Sequence, residues 1–415
     1  MVAVASLLTT GGFAQTGLHG GPSQAEARLP YRNYLSLRGG LGNFYNACLV
    51  RHKATVAFLG GSITYNPGWR DKTCAWLRER YPETEFRFIA AGIPSLGSLP
   101  HVFRLQQDVL DSGAVDLLFL EAAVNDRVNG TDSITQVRSL EGIVRHARTA
   151  NPAMDIVMMA FADPDKTSDY DKGMIPVEIA NQEMIAAHYG LPSINLGKEV
   201  RDKIRAGEFD WKNDFKDVHP SPFGQELYFA NIRALMTEGE KEFDGGSRGG
   251  SRVGSQAGSR GDGPYRMPAA IDKASFVNGV YLDVAAAKFD GGWRLSGAWK
   301  PADSARTRAG FVNVPVLESS TPGAALELRF TGTAIGMAVV AGPDAGIVEY
   351  SIDHGASQKV RLYTQWSSWL HLPWYVLFAG GLKNKQHILQ VRISDEIPSG
   401  SKGHACRIVH FLVNK

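Results

Sequence analysis

Between Val56 and Met236, short apolar runs alternate with longer amphipathic or polar segments. The apolar runs are TVAFLG, FRFIAAG, DLLFLEAAV, DIVMMAFA and LPSINLG. Short continuous apolar runs are typical of strands buried on both faces, and their alternation with helix-like segments indicates a parallel sheet covered by helices. Helical spacing of apolar positions predicts one helix over SITQVRSLEGIVRHARTANP and a second, which closes the α/β unit, over FGQELYFANIRALMTEGEKEF.

The pattern changes abruptly after this last helix. Residues 244–264 read DGGSRGGSRVGSQAGSRGDGP, and a segment so rich in Gly, Ser and Arg predicts a flexible, solvated linker. Beyond it the apolar positions recur with period two in ALELRFTG, AIGMAVVAG, IVEYSID, QKVRLYT, HILQVRIS and CRIVHFLV. This pattern predicts an antiparallel β-sandwich that resembles a jelly roll. We therefore divide the chain into an N-terminal segment (1–30), an α/β domain (31–240), a linker (241–264) and a β domain (265–415).

Composition narrows the possible functions. The 415 residues are 44% hydrophobic and 21% charged, as in a soluble globular protein with more than one domain. A net charge of +2 without a basic block gives no reason to expect nucleic acid as a partner, and the three scattered cysteines lack metal-binding spacing. No apolar run reaches the roughly 18 residues that a membrane span requires.

The first residues, MVAVASLLTTGGFAQ, combine an apolar run with small residues. This arrangement is similar to the later part of a secretory signal, although the basic leader that precedes such a signal is missing. We therefore expect the protein to be secreted or periplasmic.

The first apolar run ends in Gly60 and Gly61, which are followed by Ser62. Open α/β sheets bind their ligands at the carboxyl ends of the strands, so Ser62 is a candidate nucleophile; its alternative role is to cap the next helix. A serine hydroxyl needs a base, most often an imidazole. His219, in the segment WKNDFKDVHPSPFGQELY before the last helix, is the candidate, and its alternative is a surface position.

Two other runs also end in features that suit acyl transfer. FIAAG ends at Gly92, and FLEAAV is followed by Asn125. The transition state of acyl transfer carries an oxyanion, and the amides of Ser62 and Gly92 with the side chain of Asn125 could supply three donors to it. Taken singly, Gly92 is a turn glycine and Asn125 a helix cap. The hypothesis of an acyl-transfer site therefore depends on the occurrence of Ser62, Gly92 and Asn125 together at the strand ends.

The four blocks GGSIT, AAGIPS, AVND and DVHPSPFG occur in the order found in the SGNH, or GDSL-type, hydrolases, and the resemblance covers about residues 54–236. It implies a flavodoxin-like, three-layer fold and an esterase or acetyl hydrolase that uses no metal and no organic cofactor. It also implies that Ser62 is the nucleophile and His219 the base. Gly92 and Asn125 would contribute to the oxyanion hole.

The chain departs from the family pattern at two positions. Ala123 stands where the third block usually has glycine, and Lys216 stands where the catalytic acid usually lies, three residues before the histidine. Because lysine cannot orient an imidazole, the acid is expected at Asp217 or Asp214, and we favour Asp217, which would point the same way in an extended segment. A dyad steered by a backbone carbonyl is the third possibility.

Further side chains are candidates for substrate binding. Trp69 and Arg70 follow the serine block and could meet a sugar face and a polar group, or could be a core residue and a surface ion pair. Glu121 is unusual in a buried strand and needs a partner, for which Arg70 is a candidate. In the β domain, YTQWSSWLHLPWYVLF predicts a carbohydrate-binding surface, sandwich core or a seam between domains.

These observations favour an exported serine esterase that removes small acyl groups, most simply acetyl, from an acylated oligo- or polysaccharide. A carbohydrate-binding protein with an inactive hydrolase domain is the alternative that Lys216 favours. A lipid or thioester acyl hydrolase is a further alternative, but no amphipathic lid is evident near the blocks.

Overall fold

The computed structural model describes residues 30–248 and 263–415. The signal-like segment and residues 249–262 of the predicted linker lie outside the described residues. Within the described ranges, no helix combines the length and the apolar character needed to cross a bilayer.

The α/β domain is built on a six-stranded sheet. Its strands are β1 (Leu35–Ser36), β2 (Lys53–Gly60), β3 (Glu85–Gly92), β4 (Leu117–Glu121), β5 (Asp155–Ala160) and β6 (Ser193–Asn195). They lie in the order β1-β6-β5-β4-β2-β3, and all neighbours are parallel except β1, which pairs antiparallel with β6. The five predicted strands are confirmed. The two residues of β1 are too few to give a pattern in the sequence.

Helices cover both faces of this sheet. They are α1 (Gly42–Leu49), α2 (Ser62–Tyr65), α3 (Trp69–Arg80), α4 (Ser98–Asp108), α5 (Ala123–Val128), α6 (Ser133–Ala150), α7 (Pro164–Asp171), α8 (Val177–Tyr189), α9 (Leu196–Arg205) and α10 (Pro222–Arg248). Short helical turns are formed by Tyr31–Asn33, Leu110–Ser112 and Trp211–Phe215. Successive residues of β2 point to opposite faces, so that Phe58 and Leu59 enter separate hydrophobic clusters. The three-layer α/β fold is confirmed, and α10 extends into the segment expected to be linker.

The β domain is a single nine-stranded sheet. Its strands are β7 (Gly279–Leu282), β8 (Lys288–Phe289), β9 (Arg294–Ser296), β10 (Val316–Ser319), β11 (Ala325–Ala341), β12 (Ile347–Ile352), β13 (Gln358–Arg361), β14 (Leu372–Ile393) and β15 (Cys406–Asn414), with a helical turn at Val284–Ala286. All the strand pairs are antiparallel, which confirms the predicted all-β class. Two predicted strands form one strand, β11, because the ladder continues through an irregularity between Gly332 and Ala334.

The two domains pack against each other. The buried carboxylate of Glu141 accepts hydrogen bonds from the backbone of Asp272 (2.9 Å) and from the hydroxyl of Ser275 (2.6 Å), both of which lie just before the β domain's first strand. Ile93, directly after β3, packs against Trp299 and Phe311 of the β domain. The β domain therefore reaches the edge at which the parallel strands end.

Candidate active site

Ser62 and His219 meet at the carboxyl edge of the parallel sheet. Ser62 is the first residue of α2, immediately after β2, and His219 lies in the loop that precedes α10. The Oγ atom of Ser62 is 2.8 Å from Nε2 of His219. This distance is within the reach needed for proton transfer from a nucleophilic hydroxyl to an imidazole.

The two glycines before Ser62 make room for polar side chains from neighbouring elements. A Cβ atom on Gly61 would lie 2.1 Å from Nδ2 of Asn125, and a Cβ atom on Gly60 would lie 2.8 Å from Oε2 of Glu121. Any other residue type would displace one of these groups. The backbone leading to Ser62 is therefore held between the Asn125 amide and the Glu121 carboxyl group.

Asn125 and Gly92 also lie beside the turn that carries Ser62. Asn125 is 8% exposed in α5, and its side-chain amide makes no hydrogen bond to another of the described residues, so it is available as a donor. Gly92 is in register with Gly60, and a Cβ atom on it would lie 2.5 Å from the backbone nitrogen of Tyr65. The lack of a side chain at Gly92 thus allows α2 to pack on the end of β3.

An unusual turn shapes the backbone before His219. Lys216 has φ +77° and ψ −54°, and the N–H of Asp217 donates to the carbonyl of Phe215 at 3.1 Å. These are the features of a classic γ-turn, which is rare and strained. The turn brings Oδ1 of Asp217 to 3.8 Å from Nδ1 of His219 and to 3.3 Å from its backbone nitrogen. The carboxylate is therefore beside the imidazole but beyond hydrogen-bond distance of its ring.

Asp214 occupies a different position. Its Oδ2 accepts a hydrogen bond from the backbone of Asp210 at 2.9 Å, and its carbonyl accepts one from the Ser221 hydroxyl. Within the described part of the chain, it forms no hydrogen bond or ion pair with His219. Of the two predicted acids, the structure brings only Asp217 to the imidazole.

Trp69 differs from its predicted role. Its side chain is 0% exposed in the core of the α/β domain, at an edge-on angle to Phe58, and its Nε1 donates to the carbonyl of Ile63 at 3.2 Å. A ring so placed supports α2 from below and does not face a substrate. A large apolar residue at the start of a helix packs into the core when that helix lies on the sheet. The local sequence does not distinguish this role from a contact with a sugar.

Arg70 also serves the structure of the serine turn. Its guanidinium donates to the carbonyls of Thr64 (2.9 Å) and Tyr65 (3.3 Å), the last residues of α2, and pairs with Asp71 at 3.2 Å. These bonds satisfy carbonyls at the helix C-terminus. The ion pair with Asp71 agrees with the second role considered for Arg70, and the predicted pairing with Glu121 is not observed.

Glu121 instead interacts with the serine turn itself. The residue is 1% exposed, and its Oε2 accepts hydrogen bonds from the N–H of Gly61 (2.9 Å) and the hydroxyl of Thr64 (3.4 Å). Its Oε1 is buried without a hydrogen-bond partner among the described residues. Burial raises the pKa of this carboxyl group to about 7. In the sequence, Glu121 stood out as a carboxylic acid inside an apolar strand. The sequence did not show that its partner is the turn that carries Ser62.

A groove of about 400 Å³ lies at the seam between the domains. Residues from both domains line it, among them Ser95, Leu96, Asn129, Trp374 and Tyr375. One lining residue, Leu96, also approaches the serine turn, because its carbonyl is 3.2 Å from the point where a Cβ atom on Gly61 would lie. The predicted aromatic cluster is thus divided: Trp374 and Tyr375 lie at the seam, while Trp369 is 45% exposed elsewhere on the β domain.

Comparisons with known proteins agree with this architecture. Residues 58–227 match the model of the GDSL-like Lipase/Acylhydrolase family. No curated protein matches the chain. The crystal structure of a two-domain esterase active on acetylated mannans is similar over 93% of this chain and 98% of its own, with a TM-score of 0.70 and 20% identity, which shows a shared two-domain fold.

An acetylxylan esterase from Geobacillus stearothermophilus is similar over 44% of this chain and 94% of its own, with 16% identity and a TM-score of 0.34. Within residues 30–248 and 263–415, no group of three or more His, Cys, Asp and Glu side chains is arranged to hold a metal ion. The segment 58–227 is therefore a GDSL-like lipase/acylhydrolase domain, which indicates a carboxylic ester hydrolase, and it is followed by an additional β domain.

Proposed function

We propose that the protein is a serine esterase that removes acetyl groups from carbohydrate. The observation that carries this proposal is the 2.8 Å distance between Ser62 Oγ and His219 Nε2 at the end of a parallel strand. A sugar substrate is supported by the groove at the domain seam, where the partly exposed Trp374 contributes aromatic surface of the kind on which sugar rings stack. The related fold of an esterase active on acetylated mannans supports the same substrate class.

In the proposed acylation step, His219 Nε2 accepts the proton of Ser62 while Oγ forms a bond to the ester carbonyl carbon. The oxyanion receives hydrogen bonds from the amides of Ser62 and Gly92 and from Asn125 Nδ2. As the intermediate collapses, the bond between carbon and the sugar oxygen breaks. His219 returns the proton to that oxygen, so that the sugar leaves with a free hydroxyl group. The acetyl group remains bound to Ser62 Oγ.

In the deacylation step, His219 accepts a proton from water, whose oxygen attacks the acetyl carbon. The bond to Ser62 Oγ breaks, acetate leaves, and Oγ regains the proton. During both steps the imidazole carries a positive charge, and the carboxylate of Asp217, 3.8 Å from Nδ1, stabilises that charge through space.

The test replaces Ser62 with alanine and measures acetate release from p-nitrophenyl acetate and from acetylated manno- and xylo-oligosaccharides. We expect kcat to fall by at least about 10³-fold, as for the loss of a nucleophile in other serine hydrolases. Ser139→Ala is the matched control, because Ser139 is a buried serine on α6 whose hydroxyl has no hydrogen-bond partner among the described residues. Turnover by Ser62→Ala at the wild-type rate would refute the proposal.

One observation favours a second candidate, a carbohydrate-binding protein without esterase activity. Lys216 occupies the family's acid position, and Asp217 does not hydrogen-bond the ring of His219. If the wild-type protein binds acetylated oligosaccharides in calorimetry but releases no acetate, and if His219→Ala binds them equally well, this second function is correct.

A further inference from the structure

We propose that Glu121 is a positioning residue, which holds the Gly60–Gly61 turn, and with it Ser62, in the form of a neutral carboxylic acid. This inference rests on the proposed function, in which Ser62 is the nucleophile. It concerns a side chain that touches neither the substrate nor the reacting atoms and acts through the backbone that presents them.

The contacts of Glu121 explain how it fixes the serine. Its Oε2 accepts from the N–H of Gly61, the residue directly before Ser62, and from the hydroxyl of Thr64 in the first turn of α2. Both ends of the segment that carries Ser62 are thereby tied to one carboxyl group at the end of β4. On the other side of Gly61, the side chain of Asn125 prevents the turn from moving away.

The charges around Glu121 favour its neutral form. The ionisable side chains that face it or its backbone are Lys166, Asp126, His101, Arg104 and Tyr228. The ammonium of Lys166 is 2.5 Å from the carboxylate of Asp163, Arg104 pairs with Asp108, and burial holds the pKa of His101 well below its usual range. Among the described residues, no cation donates a hydrogen bond to the Glu121 carboxyl group, so its ionised form is left without compensation.

The neutral form also suits the chemistry. An oxyanion develops beside the Ser62 amide, which is one peptide unit from the Gly61 N–H that Glu121 binds. A negative charge at this distance would oppose the developing charge in a water-poor site. The carbonyl oxygen of a neutral acid accepts the same hydrogen bond without that repulsion. In the neutral acid, the proton would be on Oε1, the oxygen that has no hydrogen-bond partner among the described residues.

The experiment compares Glu121→Gln and Glu121→Ala by measuring kcat and KM for p-nitrophenyl acetate between pH 5.5 and 9. In the wild type, kcat should fall as the pH rises above about 7, the value to which burial raises the pKa of Glu121. Glutamine keeps the carbonyl acceptor but cannot ionise, so Glu121→Gln should keep kcat within about threefold at pH 6 and lose the alkaline fall. Glu121→Ala should lose about 10- to 100-fold in kcat with KM nearly unchanged.

Glu199→Gln is the matched control. Glu199 is also fully buried, with Oε2 bonded to Asn231 and Oε1 3.8 Å from the ammonium of Lys203, but it lies on α9 away from Ser62. Its replacement should leave the pH profile of kcat unchanged. Thermal unfolding of each variant verifies that the protein is folded.

Three results would overturn the inference. The first is a fall of kcat at alkaline pH that persists in Glu121→Gln. The second is a loss of kcat in Glu121→Gln as large as that in Glu121→Ala at every pH, and the third is full activity in Glu121→Ala. The proposed function is tested separately by Ser62→Ala. If Ser62→Ala is inactive while the Glu121 variants behave like the wild type, only the role of Glu121 is refuted.

Discussion

Replacing Asp217 with asparagine tests how strongly a carboxylate supports the imidazole in this protein. The γ-turn at Lys216 leaves Oδ1 of Asp217 3.8 Å from Nδ1 of His219, too far for the direct hydrogen bond of a catalytic triad. The side chains are also open to water, with 64% of Asp217 and 47% of His219 exposed. Asp217 therefore acts on the imidazolium mainly through space and across a solvated gap.

The magnitude follows from that distance. Two unit charges 3.8 Å apart in water attract each other by about 1 kcal/mol, and exposed ion pairs seldom contribute more. A loss of about 1 kcal/mol from the transition state lowers the rate about fivefold. This is far below the roughly 10⁴-fold loss caused by replacing a buried triad aspartate that hydrogen-bonds its histidine.

The assay is the rate of p-nitrophenyl acetate hydrolysis at pH 8 by Asp217→Asn and by Asp214→Asn. We expect kcat to fall about fivefold in the first variant. We expect no change in the second, because Asp214 is engaged with the Asp210 backbone in the neighbouring turn and asparagine can still accept that hydrogen bond. The attraction is screened by salt, so the difference between Asp217→Asn and wild type should shrink as ionic strength rises.

Two results would refute this reasoning. A loss above about 10³-fold would mean that Asp217 closes to hydrogen-bond distance when substrate binds and acts as a full triad acid. No loss at all, at any ionic strength, would mean that the imidazole is oriented without a carboxylate, as in a dyad steered by the backbone.

Two further predictions concern neighbouring residues. Asn125→Ala should lower kcat by about 10²- to 10³-fold with little change in KM, because an oxyanion donor acts on the transition state. Steady-state kinetics measure the effects on kcat and KM separately, and an effect confined to KM would contradict the prediction. The side-chain carboxyl group of Asp126 is buried, its hydrogen-bond partner among the described residues is Ser98, and burial raises its pKa to about 7. Between its unfolded pKa near 3.8 and this value, the folded state binds more protons than the unfolded state, so the free energy of unfolding should decrease as pH rises through this window. Denaturant unfolding at pH 5 and 7.5 should show a smaller decrease for Asp126→Asn than for wild type, and equal decreases would exclude the effect.

Most of the fold could be predicted from the sequence because the two halves have different periodicities. Continuous apolar runs separated by amphipathic segments specify a parallel sheet with helices on both faces, and alternating runs specify an antiparallel sheet. The merging of two predicted strands into β11 could not be foreseen, since whether a glycine ends a strand or bends it depends on the neighbouring strands that continue the ladder.

Part of the site was also accessible, because parallel strands bring their carboxyl ends together. Polar residues that follow successive apolar runs are therefore neighbours in space, and this is why Ser62, Gly92 and Asn125 could be grouped before the structure was known. His219 could be proposed as the base from its loop before the last helix and from the resemblance of four blocks to a known family, but neither gives a distance. Its position at 2.8 Å from Ser62 depends on how the loop before α10 folds.

The sequence by itself therefore determined the two domain classes and the strand ends at which the candidate catalytic residues lie, because the local spacing of apolar residues specifies both. Only the tertiary structure decided that Asp217 and not Asp214 lies beside the imidazole, that Trp69 is core, and that Glu121 binds the serine turn. These outcomes depend on a single strained turn at Lys216 and on packing between elements far apart in the chain. Such contacts are set by the whole fold and leave no periodic signal in the chain.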